Sequence, residues 1–269
     1  MGALVVVILI LLVLGGAAFL CLFVTEHGTI INTGPLLQEN YEYNGTLAGY
    51  DHVSIDASDF NGDIIVKEGD SETFDVTVNA QGTQNDLDHY NVGFTQSGNA
   101  GTKALKVTIN TTPKNLYIGS SRYSADIVIT VPKGKIYDVT LENANGRVEL
   151  GGFDCDKVTL STANGMVISS ANASTASYSS ANGDIDVSTY SRSAGIKAST
   201  ANGRITVAVP RDAQVSIKAN TMNGKIGTDL PVEVTEKGMF NFVAKSANYS
   251  NGLDLDLSTL NGDIEVNGQ

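Results

Sequence analysis

In the second half of this chain apolar and polar side chains alternate, and the alternation restarts at a nearly fixed interval. Apolar pairs two positions apart recur as Val139/Leu141, Val158/Leu160, Ala176/Tyr178, Ile196/Ala198, Ile217/Ala219 and Leu255/Leu257. Four residues after each pair stands an Asn-Gly dipeptide: Asn145-Gly146, Asn164-Gly165, Asn182-Gly183, Asn202-Gly203, Asn223-Gly224 and Asn261-Gly262. Three residues after each Asn comes Val148, Val167, Ile185, Ile205, Ile226 or Ile264, usually with another apolar residue two further on. Two residues before each Asn is a small polar residue: Asn143, Thr162, Ser180, Thr200, Thr221 or Thr259. An upstream copy reads Ile55, Ala57, Asp59, Asn61-Gly62, Ile64 and Val66. Period two is the strand signature, because successive side chains point to opposite faces. Every repeat is therefore two short strands joined at Asn-Gly.

The first five corners of the train are 19, 18, 20 and 21 residues apart, and the last lies 38 further on, two periods of 19. Random pairing of the Asn and Gly present would supply only about two such dipeptides, so the train is a structural repeat. Two architectures fit. Asn-Gly between alternating apolar runs suits a type I′ hairpin, where both central residues need positive φ. It also suits the corner of a β-solenoid, a single-stranded β-helix-like coil in which about 20 residues make one rung. The small polar slot favours the solenoid, since stacked rungs place it against itself and a hairpin meander has no use for it.

Before the repeats, strand-like runs occupy residues 53–55, 64–66, 74–78, 105–109 and 127–131, and residues 80–103 read as one long polar excursion. Residues 231–246 interrupt the repeat. No segment shows sustained helical periodicity, so the chain from residue 51 to 269 reads as one all-β domain. Residues 25–50, with Gly28, Gly34, Pro35, Gly45 and Gly49, read as a linker. Residues 3–24 form an uninterrupted apolar run, long enough to cross a bilayer as a helix. The reading is a transmembrane helix over residues 1–24, retained as a single-pass anchor. Cleavage near residues 15–18, which are small, is the alternative. With no Lys or Arg before Lys67 and acids crowding the downstream flank, the C-terminal domain is expected outside the cell membrane.

The segments around residues 53–78, 125–150 and 205–226 resemble a β-strand-repeat family of unknown function whose members are described as candidate adhesins. The shared marks are an apolar strand closed by Val131-Pro132 or Val209-Pro210, then a strand ending in Asn-Gly-x-Ile. The resemblance implies a cell-surface β-solenoid ectodomain with a binding or envelope-stress role, and it brings no catalytic residues.

Composition narrows the partners. A formal net charge of −12 argues against nucleic acid and against adsorption to anionic lipid. Cys155 is the only cysteine outside the apolar run, so no disulfide staples the domain. His27, His52 and His89 lack metal-ligand spacing, and Cys155 sits between two carboxylates that disfavour its thiolate. No nucleophile elbow or phosphate loop is present. Asp184/Asp186, Asp254/Asp256 and Asp263/Glu265 could clamp calcium between rungs but lack the calcium-binding repeat motif. No catalytic, metal or cofactor site is therefore expected. If rungs stack in chain order, Asp184 lies beside Arg204 in an exposed charge ladder. With no Trp in the chain, which counts against a carbohydrate-binding surface, the aromatic candidates for a contact patch are tyrosines such as Tyr117, Tyr123, Tyr178, Tyr190 and Tyr249. Tyr117 and Tyr123, with Arg122 between them outside the regular repeat, are the favoured pair, and core filling at the solenoid cap is the alternative role for at least one of them. Three functions remain: a non-catalytic surface binding or scaffolding module with an envelope or protein partner, an envelope-stress regulator acting through a membrane partner, and a carbohydrate-active enzyme.

Overall fold

Each Asn-Gly dipeptide of the train joins two strands that lie in different sheets. In the computed structural model, which describes residues 8–14, 17–23, 35–99, 104–113, 123–191 and 194–269, Asp154–Asn164 pairs in parallel with Ile136–Asn145 and with Asn172–Asn182. Beyond its corner, Val167–Ser169 pairs in parallel with Val148–Leu150 and Ile185–Ser188 in the second sheet. A hairpin would pair the two flanking strands with each other. Here their partners are the equivalent strands of neighbouring repeats, so each repeat is a rung, named below by its corner asparagine.

The rungs do not stack in chain order throughout. Along the larger sheet the Asn61, Asn145, Asn164, Asn182 and Asn202 rungs are followed by the Asn261 rung and then the Asn223 rung. Gly195–Asn202 pairs with Leu253–Asn261, whose other neighbour is Val215–Asn223. The 38-residue interval is thus not two periods of coil. It holds an antiparallel pair, Val232–Lys237 with Asn241–Ser246, and the latter strand runs along the outer edge of Val215–Asn223. The chain then returns to slot its last rung inside the one before it.

Alternation drives this arrangement, because the buried set of each strand faces the buried set of the other sheet. Val139, Leu141, Val158, Leu160, Ile196 and Leu255 line one side of the core, and Val148, Val167, Ile185, Ile205 and Ile264 line the other, all buried. Burying each large aliphatic side chain contributes about 1.5–3 kcal/mol before entropy is counted. Tyr178 is buried beside its register partner Ala198, and its hydroxyl donates to Ser169 Oγ at 3.1 Å. Replacing Leu150's slot by Ser169 in the next rung therefore satisfies the buried phenol.

Both ends are closed by strands outside the repeat, which limits the open edges that stacked rungs would otherwise expose. At the first end, Tyr90–Asn99 and Ala104–Pro113 form an antiparallel pair against His52–Asn61. Leu37–Thr46 and Thr73–Gly82 extend the smaller sheet. Two expectations need correction here. The segment read as a linker contains the ten-residue strand Leu37–Thr46, held by Leu47 and Tyr43, which pack on the core. The polar excursion contains a short helix, Gln84–His89, started by a Thr83–Asp86 capping box, and then the strand Tyr90–Asn99.

The expected transmembrane helix is also absent: no helix among the described residues is long and apolar enough to cross a membrane. Ile8–Leu14 and Ala17–Phe23 pair as antiparallel strands instead. A continuous apolar run does not by itself separate helix from strand, and β-branched Ile8, Ile10 and Val13 suit a strand.

Candidate functional site

The repeat corners, the most regular chemistry in the sequence, hold rungs together. Asn164 Nδ2 donates to Asn145 Oδ1 at 2.9 Å, and the same bond recurs from Asn182 to Asn164, Asn202 to Asn182, Asn261 to Asn202 and Asn223 to Asn261 at 2.7–2.9 Å. The file ends at Asn145, which donates to the Phe60 carbonyl, while Asn61 donates to the Tyr123 carbonyl. Beside it, every corner glycine N–H before the last rung of the stack donates to the asparagine carbonyl of the next rung, as Gly146 to Asn164 and Gly203 to Asn261, both at 2.9 Å. Glycine is required by proximity: a Cβ on Gly165 would lie 1.9 Å from the Gly146 carbonyl oxygen. Gly62, Gly146, Gly183, Gly203, Gly224 and Gly262 face equivalent backbone contacts.

The small polar slot has the same purpose. Thr162, Ser180, Thr200, Thr259 and Thr221 are buried, and each hydroxyl donates to the glycine carbonyl of the adjoining rung at 2.9–3.1 Å. Asn143 does so through its amide at 2.6 Å. Asp59 occupies the slot in the first rung, beside Asn143. It is buried, accepts from Thr111 Oγ1, and leaves Oδ2 without a hydrogen-bond partner. Burial, opposed by the Thr111 hydroxyl and the Phe60 and Asn61 N–H groups and reinforced by Asp126, raises its carboxyl to about 6.

The residue after each corner forms the mixed-charge ladder. Arg204 N–H donates to Asp184 Oδ1 at 2.7 Å, and Asp263, from the inserted rung, receives the Lys225 N–H at 2.7 Å. Arg147 donates its backbone N–H to Asp63 and pairs its guanidinium with Asp63 and Glu149. These part-exposed pairs contribute little individually.

Of the expected contact patch, only Tyr123 lies among the described residues. Tyr123 is buried, 2% exposed, and stacks on Tyr90 with ring centroids 3.7 Å apart. Tyr117 and Arg122, like His27, lie outside the described residues. His89 caps its own helix through the Asn85 carbonyl. Among the described residues no three His, Cys, Asp or Glu side chains are grouped to hold a metal ion. Burial, with Asp154, Asp138 and Asp156 adding, pushes the Cys155 thiol up to about 12, which keeps it from acting as a nucleophile near neutrality.

Two surface features were not read from the sequence. The first is a flat polar face on the larger sheet. Ser161, Ser179, Ser199 and Ser258 stand in register on four successive rungs, with Ser179 Oγ 3.1 Å from Ser161 Oγ. The inserted rung places Ser258 in that file. The second is a groove of about 410 Å³ at the opposite end of the same strands. Its origin is a break in the alternation: Tyr137 pairs with Cys155 and Asp138 with Lys157, so Asp156 is an extra residue. The next rung matches the break, since Cys155 pairs with Ala173 and Lys157 with Thr175, leaving Ser174 as the extra residue. Asp154, Asp156 and Ser174 are exposed around the groove, with Tyr190 at 68% and Ile136 at 46% exposure. His52 pairs with Asp138 at 2.8 Å and reaches Asp156 at 3.8 Å.

Comparison with solved structures finds a candidate cell adhesion protein from Clostridium sporogenes, 12% identical, matched over 87% of this chain and 100% of that one with a TM-score of 0.54. A candidate adhesin from Bacteroides fragilis is 14% identical over 87% of this chain and 97% of that one, with a TM-score of 0.36. The first shows a shared fold. Comparison with curated proteins found no match. The family described as Toastrack DUF4097 matches residues 50–176 and again residues 152–267, ranges that together take in all seven corner rungs; the chain belongs to that family.

Proposed function

We propose that this protein is a non-catalytic, adhesin-like surface module in which a β-solenoid presents a flat polar face to an envelope or extracellular partner. The observation that carries the reading is the registered face of the larger sheet, where serine positions repeat on adjacent strands about 4.8 Å apart. Corner and slot side chains are consumed in holding the rungs, so outward-facing side chains are those left for recognition. The fold shared with the cell adhesion protein from Clostridium sporogenes agrees with this use. The apolar run of residues 3–24 is proposed as the membrane tether of an extracytoplasmic domain.

The test is retention under flow of cells displaying the full chain on beads coated with envelope polysaccharide or extracellular-matrix protein. Display should increase retention, and Ser161→Arg with Ser199→Arg should abolish the increase while the melting temperature holds. Equal retention with and without the chain on every coating would reject the adhesive reading.

A further inference from the structure

We infer that the groove across the two bulged rungs is a saccharide-binding site, a reading that rests on the surface-module function above and gives it a ligand class. Three independent features converge there. First, bulges redirect side chains and are enriched beside binding sites. Here two adjacent rungs are bulged at the same level, and both extra residues, Asp156 and Ser174, line the groove. In both rungs the break exposes two consecutive residues, Asp156-Lys157 and Ser174-Thr175, at the groove end of the strand.

Second, the groove is furnished for hydroxyl groups. Asp154 and Asp156 supply acceptors, and Ser174 and Ser191 supply groups that both donate and accept. Third, an aromatic ring stands exposed at one end. Tyr190 is 68% exposed, whereas among the described residues most other aromatic rings are packed in or against the core. Its backbone is fixed: Tyr190 N–H donates to Asn172 Oδ1 at 2.9 Å, and Asn172 Nδ2 donates to Asp154 at 3.3 Å. The exposed ring offers a flat apolar platform with a polar tip, suited to the C–H face of a pyranose. Exposed Ile136 provides the apolar surface at the far end. At the strand spacing, a groove crossing three to four rungs is about 10–15 Å long, which suits an oligosaccharide segment. Since the described lining residues carry carboxylates and no cation, neutral or N-acetylated sugars fit better than uronates or sulfated sugars.

The experiment uses the full chain reconstituted in lipid nanodiscs. A glycan array of neutral, N-acetylated and uronate-containing oligosaccharides is followed by calorimetric titration of the strongest hit. Neutral or N-acetylated glycans should bind, with Tyr190→Ala and Asp156→Ala weakening the hit at least about tenfold and Tyr190→Phe keeping it within about threefold. Joint deletion of Asp156 and Ser174, which restores the alternation, should leave a cooperative melt and remove binding. No glycan bound by the intact chain, preference for uronates, or full affinity in Tyr190→Ala would each overturn the site. Retention of displaying cells under flow, measured in parallel, separates the two readings: retention unaffected by Tyr190→Ala with no glycan bound would end the groove proposal alone.

Discussion

Asp59 gives the fold a pH dependence that can be worked through from the structure. In other rungs the equivalent side chain is a neutral donor to a glycine carbonyl, whereas Asp59 is a buried carboxylate with one oxygen unpartnered. Its carboxyl rises from 3.8 to about 6, chiefly because burial penalises the charged form. The native state therefore holds a proton that the unfolded chain has already released between these two values. The Asp59 contribution to stability is greatest below about pH 4, falls as pH rises to about 6, and stays lowered above that. At about 1.4 kcal/mol per unit, the full loss is about 3 kcal/mol. Asp59→Asn keeps the acceptor for Thr111 and removes the charge, as Asn143 does one rung away. Urea unfolding of both proteins at pH 3.8 and 7.5 should show Asp59→Asn more stable by about 2–3 kcal/mol at the higher pH and nearly equal at the lower. Comparing variant with wild type cancels the other carboxylates, including Asp70 and Asp229, whose shifts run downward. Equal stability at pH 7.5, or a variant weaker at both values, would refute the reasoning.

Other substitutions test the corners and the facing. Gly165→Ala drives a Cβ into the Gly146 carbonyl and should lower stability by several kcal/mol in chemical denaturation, whereas Gly195→Ala, with nothing within 4 Å, should be neutral or slightly stabilising. Thr200→Val preserves shape but leaves the Gly183 carbonyl without its hydroxyl donor, for a loss of about 1–3 kcal/mol by the same measurement. Ile205→Asp places an unpaired carboxylate at a fully buried position and should unfold the coil by circular dichroism, while Thr206→Asp on the outer face should be tolerated. Similar damage from both would contradict the facing.

What the sequence reveals and what it hides follow from the range of the interactions. Strands, corners and the Thr/Ser slot are legible because each residue meets its own counterpart in the next rung, so contact chemistry appears as repetition. The insertion of the Asn261 rung is hidden, since both orders satisfy the same alternation and the spacing of 38 residues imitates two periods. The edge strand Leu37–Thr46 is hidden too, because a strand paired on one side needs little apolar alternation. The groove left a faint trace. Cys155 precedes its corner by nine residues where Tyr137 precedes its own by eight, an extra residue that betrays the bulge once register is known. Tyr123, outside the repeat, carries two readings in the sequence, contact patch or cap filling, and its stacking against Tyr90 selects the second.

Both the serine face and the stability of its frame depend on the spatial order of the rungs, and cysteine pairs test that order directly. Ser199 and Ser258 are register partners on neighbouring strands, as are Ser258 and Asn220, which puts Ser199 and Asn220 two strands apart, about 10 Å. A disulfide needs Cα atoms within about 7 Å. On oxidation of the folded full chain, Ser199→Cys with Ser258→Cys should give the bridged peptide by mass spectrometry, and Ser199→Cys with Asn220→Cys should not. The reverse pattern would show rungs stacked in chain order and contradict the fold described.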